Sequence, residues 1–158
     1  MTQDAWRVLV GSDVAGFEYK EALKADLRVD PRVASVRDVG VDADGLEDES
    51  YGSVAIRAAE LVAAGEADRA VLVCGTGIGV AIAANKVPGI RATVAHDSFS
   101  VERSVLSNDC QIITIGQRVI GLQLARRLVS EWLGYRFDPA SSSEEKVAII
   151  TSYEHRAS

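Results

Sequence analysis

The chain has 158 residues, 47% of them hydrophobic and 25% charged, with a formal net charge of −6. That length supports one well-buried core and is short for two ordinary domains, so a single domain over 1–158 is expected. A negative balance without a basic stripe argues against nucleic acid as a partner, and no apolar run approaches membrane-spanning length. A small anionic molecule stays compatible with this charge, because screening beyond about 8–10 Å lets a few local Arg or Lys side chains dominate a cleft.

In chain order, short β-branched runs alternate with longer helical patterns, the signature of repeated βα units. A strand is expected over 7–10, then a helix over 17–27, a strand over 33–39, an exposed acidic loop over 40–49 and a helix over 50–64. Further on come a strand over 70–73, a helix over 78–85, a strand over 90–95 and a helix over 98–106. The chain closes with a strand over 111–115, a helix over 122–133, a polar spacer DPASSS and a last helix over 144–153. VLVC and IITI are unbroken apolar runs, as in strands covered on both faces. The expected class is therefore α/β, a three-layer α/β/α sandwich on a parallel sheet of about five strands.

Two cysteines, Cys74 and Cys110, lack CxxC spacing, and only two histidines are present. Free thiols, no metal and a cytoplasmic location are the expectations, the N-terminus MTQDAWRVLVG carrying no leader pattern. The most informative stretch is VLVCGTGIGVAIAANK, in which an apolar run ends in Cys74 and passes through a glycine-rich turn into an alanine-rich helix. In an open α/β sheet such a switch is where ligands bind, because turn N–H groups point into the crevice. The same field favours thiolate, the form that acts as base or nucleophile, so Cys74 leads the candidates for chemistry. It also reads as a buried, inert strand-end thiol.

Nucleotide loops fit less well. Counting GxGxxG from Gly75 puts Val80 where a small residue is required, although Asp97 falls about where the ribose-binding acid would stand. The turn GSDVAGFEYK has the first spacing of a Walker loop but carries Phe17 and Glu18 in place of Lys and Ser/Thr.

With GSDVAGFEYKEAL, SYGSVAIRAA, CGTGIGVAIAANKVPGIRATVAHDSFSVERSVLSND and IGQRVIG, the chain resembles the type B ribose-5-phosphate isomerase and galactose-6-phosphate isomerase family over nearly its whole length. The resemblance implies a cofactor-free aldose-ketose isomerase of phosphorylated sugars on a Rossmann-like sandwich. It also implies a homodimer with active sites built across the subunit interface, the last helix, about 143–154, reaching to the partner. By position, Cys74 matches the base that moves a proton between C1 and C2, and Thr76 a hydroxyl that shuttles protons at the sugar oxygens. Backbone N–H groups of Gly75, Gly77, Ile78 and Gly79 match an anion hole. Asp13 and Asn108 match sugar-hydroxyl ligands, Tyr51 an aromatic pocket wall and Arg118 a phosphate ligand, while Lys146 falls where the family has an arginine. Structural roles are also open to these residues: Asp13 as a helix cap, Asn108 as a turn residue and Arg118 as a strand-end decoration.

The chain departs from the family at Val14 and Ser107, where histidines are usual, and near Ser142, where a second arginine is usual. The histidine replaced by Ser107 is the one credited with opening a furanose ring. A tetrose 4-phosphate has its O4 blocked and forms no furanose, so an enzyme for it needs no ring opener. The SVERS and LSND segments resemble a subgroup that interconverts erythrulose 4-phosphate and erythrose 4-phosphate. The competing expectation keeps ribose 5-phosphate and gives ring opening to His96, oriented and kept basic by Asp97. A nucleotide-binding module and a non-catalytic interaction protein are the remaining alternatives.

Overall fold

The computed structural model describes residues 4–42 and 49–157. β1 (Trp6–Ser12) leads through a 3-10 turn (Val14–Gly16) into α1 (Phe17–Val29), and β2 (Val33–Asp38) is followed by α2 (Tyr51–Ala63). The chain continues as β3 (Arg69–Cys74), α3 (Ile78–Ala84), β4 (Ala92–Val94), α4 (Ser98–Leu106) and β5 (Ile112–Gly116), and ends in α5 (Leu122–Gly134) and α6 (Glu144–Ala157). All pairings are parallel, and the strand order is β2-β1-β3-β5-β4.

Right-handed crossovers fix the layers. The connections β1→β2 and β4→β5 run one way across the sheet and the other two run the opposite way, so α1 and α4 lie on one face and α2 and α3 on the other. Helix α5 joins the first face, against α1 and α4. Strand side chains divide accordingly: Val8, Val10, Val71, Val73, Ile113 and Ile115 pack towards α1, α4 and α5. Leu9, Ala70, Leu72, Ile112 and Cys74 pack towards α2 and α3. Each fully buried aliphatic side chain contributes about 1.5–3 kcal/mol, so this period-two division determines the strand register.

Strand 90–95 shortens to Ala92–Val94 because Ile90 N–H is held in a turn by Val87 O (3.2 Å) and Arg91 N–H is taken by Gln111 Oε1 (2.8 Å). The 3-10 turn, held by Gly16 N–H donating to Asp13 Oδ1 at 3.1 Å, was not foreseen. Ser50 caps α2 from outside it, accepting from Ser53 N–H, and α6 runs one turn past its expected end. Of the loop expected over 40–49, positions 43–48 lie outside the described residues. No described helix is long and apolar enough to cross a membrane.

The chain leaves β1 in one direction and β3 in the other, which opens a crevice at the carboxyl ends of these neighbouring strands. Asp13 follows β1, and Gly75 follows β3.

Candidate active site

Cys74 ends β3 beside Gly116 of β5, with its side chain 4% exposed. The next residues bend sharply around Gly77, whose φ of +77° suits glycine and whose added Cβ would stand 2.9 Å from the Ile115 carbonyl carbon. Thr114 Oγ1 donates to Gly77 O at 2.7 Å and fixes the turn from the next strand. In this conformation Gly77 N–H donates to Cys74 Sγ at 3.1 Å, and Ile78 N–H donates to Thr76 Oγ1 at 3.2 Å. Two of the four N–H groups expected to form the anion hole are thus already engaged by the thiol and hydroxyl they flank. Helix α3 has only seven residues and no side-chain cap, so individual N–H groups rather than a long helix dipole act at this turn.

An added Cβ on Gly79 would lie 2.5 Å from Tyr51 Cε2, and one on Gly75 would lie 3.3 Å from Arg118 Nη1. Tyr51 and Arg118 therefore rest on the two ends of the glycine turn. They also line an open pocket of about 700 Å³ together with Asp13, Val14, Ala15, Glu49, Ser50 and Gln117. Arg118 N–H donates to Gly75 O (3.0 Å) and Gln117 N–H to Cys74 O (2.9 Å), so the turn after β5 is stitched to the turn after β3. Asp13 caps the 3-10 turn through Oδ1 and also lines this pocket. Gln117 was missed by sequence reasoning, although residues just past a strand's carboxyl end line such crevices; its Oε1 accepts from Tyr19 N–H at 3.1 Å. Gly16 permits close packing of the first turn on β3, where an added Cβ would stand 2.4 Å from Val73 O. A separate cleft of about 410 Å³ between α1 and α5 contains none of the candidate residues.

His96 takes its orientation from the backbone rather than from Asp97. Its Nε2 accepts from Gly116 N–H at 2.9 Å, so the imidazole is neutral at that nitrogen and oriented by the backbone beside Cys74. Burial pulls its pKa below the ordinary histidine value, and the opposing pull of Asp97 is weaker. Asp97 is committed elsewhere, with Oδ1 accepting from Ser100 N–H (2.7 Å) and Oδ2 from Ser100 Oγ (2.6 Å) to cap α4. Asp97 is thus held as the α4 cap, and its pull on His96 is outweighed by burial.

Asn108 and Lys146 do not join this cluster within one chain. Asn108 precedes β5, whose carboxyl end is at Gly116 beside Cys74, so about 13 Å of strand separates the two edges. There Asn108 is exposed, with Nδ2 donating to Arg103 O at 3.3 Å. Lys146 is exposed in the first turn of α6, whose neighbours Arg91 and Asp109 also precede their strands. Ser107 Oγ accepts from Arg103 Nη1 (3.2 Å) at the same edge.

Residues 8–150 match the model of the family described as Ribose/Galactose Isomerase. The chain belongs to this family. It is 62% identical, over 95% of its length and 98% of the relative's, to a D-erythrulose-4-phosphate isomerase 2 of Mycolicibacterium smegmatis. It is 37% identical to ribose-5-phosphate isomerase B of Escherichia coli K12, covering 95% of this chain and 97% of that one. The solved ribose-5-phosphate isomerase B of Clostridium thermocellum superimposes with a TM-score of 0.87 at 37% identity, over 96% of this chain and 99% of that one. The parallel five-strand sandwich is the fold this isomerase family shares.

Proposed function

We propose that the chain is a cofactor-free isomerase of a small phosphorylated sugar, with D-erythrulose 4-phosphate and D-erythrose 4-phosphate as its preferred pair. The observation that carries this proposal is the meeting of Cys74, Thr76 and Arg118 at one glycine turn while Ser107 stands where a ring-opening histidine is usual. Cys74 as thiolate removes a proton from C1 of the ketose; electrons move into the C1–C2 bond and onto O2, and the proton returns to C2 of the enediolate. Thr76 moves the proton between O1 and O2. Gly75 and Gly79 N–H groups, joined by those of Gly77 and Ile78 when Cys74 and Thr76 release them, meet the oxyanion as it develops. Arg118 holds the phosphate, Asp13 a hydroxyl, and Tyr51 walls the pocket. His96 orients the Gly116 turn and opens no ring.

Asn108 and Lys146 serve the site from a second subunit, placed by a two-fold axis against the carboxyl edge of the first. Exposed apolar side chains support this assembly: Ile78 and Ile82 on α3, and Ile149, Ile150 and Tyr153 on α6. A cytoplasmic setting suits two unpaired cysteines. The test is a panel of four-, five- and six-carbon aldose and ketose phosphates with the pure protein. Erythrulose 4-phosphate should be turned over best; efficient turnover of ribose 5-phosphate with none on erythrulose 4-phosphate would return the chain to the five-carbon reaction. Light scattering should report a dimer at micromolar concentration, and a monomer alone would contradict the shared site.

A further inference from the structure

At the amino edge of the sheet, Asp109 is the one non-glycine residue with positive φ (+47°) among the described residues. Such backbone persists only where its surroundings over-determine it. Here the surroundings are the backbone close of α4, with Asp109 N–H donating to Val105 O (3.0 Å) and Cys110 N–H to Ser104 O (2.9 Å), together with one side chain. Arg91 Nε donates to both Asn108 O and Asp109 O at 3.0 Å, and its Nη2 donates to Asp109 Oδ2 at 3.0 Å. Arg91 is itself anchored: its N–H donates to Gln111 Oε1 (2.8 Å), and Gln111 Nε2 donates to Gly89 O (2.8 Å). Gly89 N–H in turn donates to Glu154 Oε2 of α6 at 2.8 Å. A cleft of about 390 Å³ lies between Arg91, Asp109 and the α6 residues Glu144, Val147 and Thr151. Arg91 therefore joins the loop that presents Asn108 to the helix that presents Lys146.

We infer that Arg91 is a positioning residue for the partner subunit's active site, holding the Asn108 loop in its left-handed turn so that the Asn108 amide is presented outward. This rests on the proposal that Asn108 completes the site of the other subunit. A guanidinium meets two carbonyls and a carboxylate together with its planar fork, which a lysine ammonium cannot do, so Arg91→Lys keeps the charge and loses the clamp.

The test uses dimers with differently tagged chains. Arg91→Lys should lower kcat/KM about 10- to 100-fold, since misplacing a binding group by about 1 Å can cost on the order of 100-fold. The Asn108→Ala, Arg91→Lys double variant should fall no further than Asn108→Ala alone, because both changes remove one contact. A heterodimer of Cys74→Ala and Arg91→Lys chains should recover about half the wild-type rate per dimer, since a two-fold dimer then keeps one intact composite site. Asp109→Asn, a smaller change to the same clamp, should recover likewise on pairing with Cys74→Ala. Failure of both variants to recover, or additive losses in the double variant, would overturn the role of Arg91. The heterodimer of Cys74→Ala with Asn108→Ala separates the two ideas: if it too stays inactive, the shared-site proposal falls.

Discussion

The two edges of the sheet use the same residue types to opposite ends. Each carries a cysteine, but Cys74 at the carboxyl edge has a backbone N–H aimed at its sulfur. Cys110, just before β5 at the amino edge, is buried so that its thiol pKa is pushed up to about 11. Each edge also carries an arginine near the proposed chemistry. Arg118 lies over glycine backbone in an open pocket, whereas Arg91 spends its donors on carbonyls and a carboxylate. Strand polarity explains the contrast: turns leaving the carboxyl ends converge their N–H groups on the crevice, while the amino ends are tied down to bring strands into register. In the proposed enzyme one edge reacts and the other presents.

The largest break in this comparison is Cys74→Ala. Loss of a general base costs about 100- to 10,000-fold in turnover, and a methyl group fits the site without disturbing the sheet. Retention of more than about a tenth of wild-type activity, far above that range, would remove Cys74 from the mechanism. Its counterpart Cys110→Ala should leave turnover within a factor of about two, because nothing at that edge needs a thiolate; an enzyme assay on both variants reads the difference.

Ser107→His next tests what the amino edge lacks. On ribose 5-phosphate it should raise turnover about 10- to 100-fold, the lower part of the range for a positioned acid or base. On erythrulose 4-phosphate, which has no ring to open, it should give no gain. Equal gains on both sugars would show that the histidine acts otherwise than on a ring.

Gly77→Ala probes the turn itself. Left-handed backbone costs a non-glycine residue about 1–2 kcal/mol, and the Cβ contact with Ile115 adds to this, so the urea midpoint should fall together with activity. Gly65, also at positive φ but with open space around its missing Cβ, should show only the backbone part.

The smallest expected effect is the pH response of His96. Because burial lowers its folded pKa, the unfolded chain binds that proton first as pH falls. Its contribution to stability is therefore complete above the ordinary histidine range, about 6.5, and is lost as pH drops towards the lower folded value. His96→Gln should flatten this part of the stability curve in urea titrations between about pH 7 and 5. An unchanged slope would mean that the Gly116 contact carries no protonation linkage.

Periodicity and turn chemistry are local, and these the sequence alone determined. Apolar runs such as VLVC and IITI announced doubly covered strands, and the spacing in CGTGIG placed a thiol at a strand-to-helix turn. What the sequence left undecided depends on which groups meet across the fold. Asp97 and His96 are neighbours in the chain, yet one caps α4 and the other faces Gly116, twenty residues away. Arg91 lies within a quoted motif but carried no role there, because its partners Asn108 and Asp109 reach it only through the β4–β5 pairing. The candidate residues divide between two edges for a similar reason: parallel pairing of Cys74 with Gly116 sends the residues before β5 to the far end of the sheet, and only the tertiary structure sets that direction.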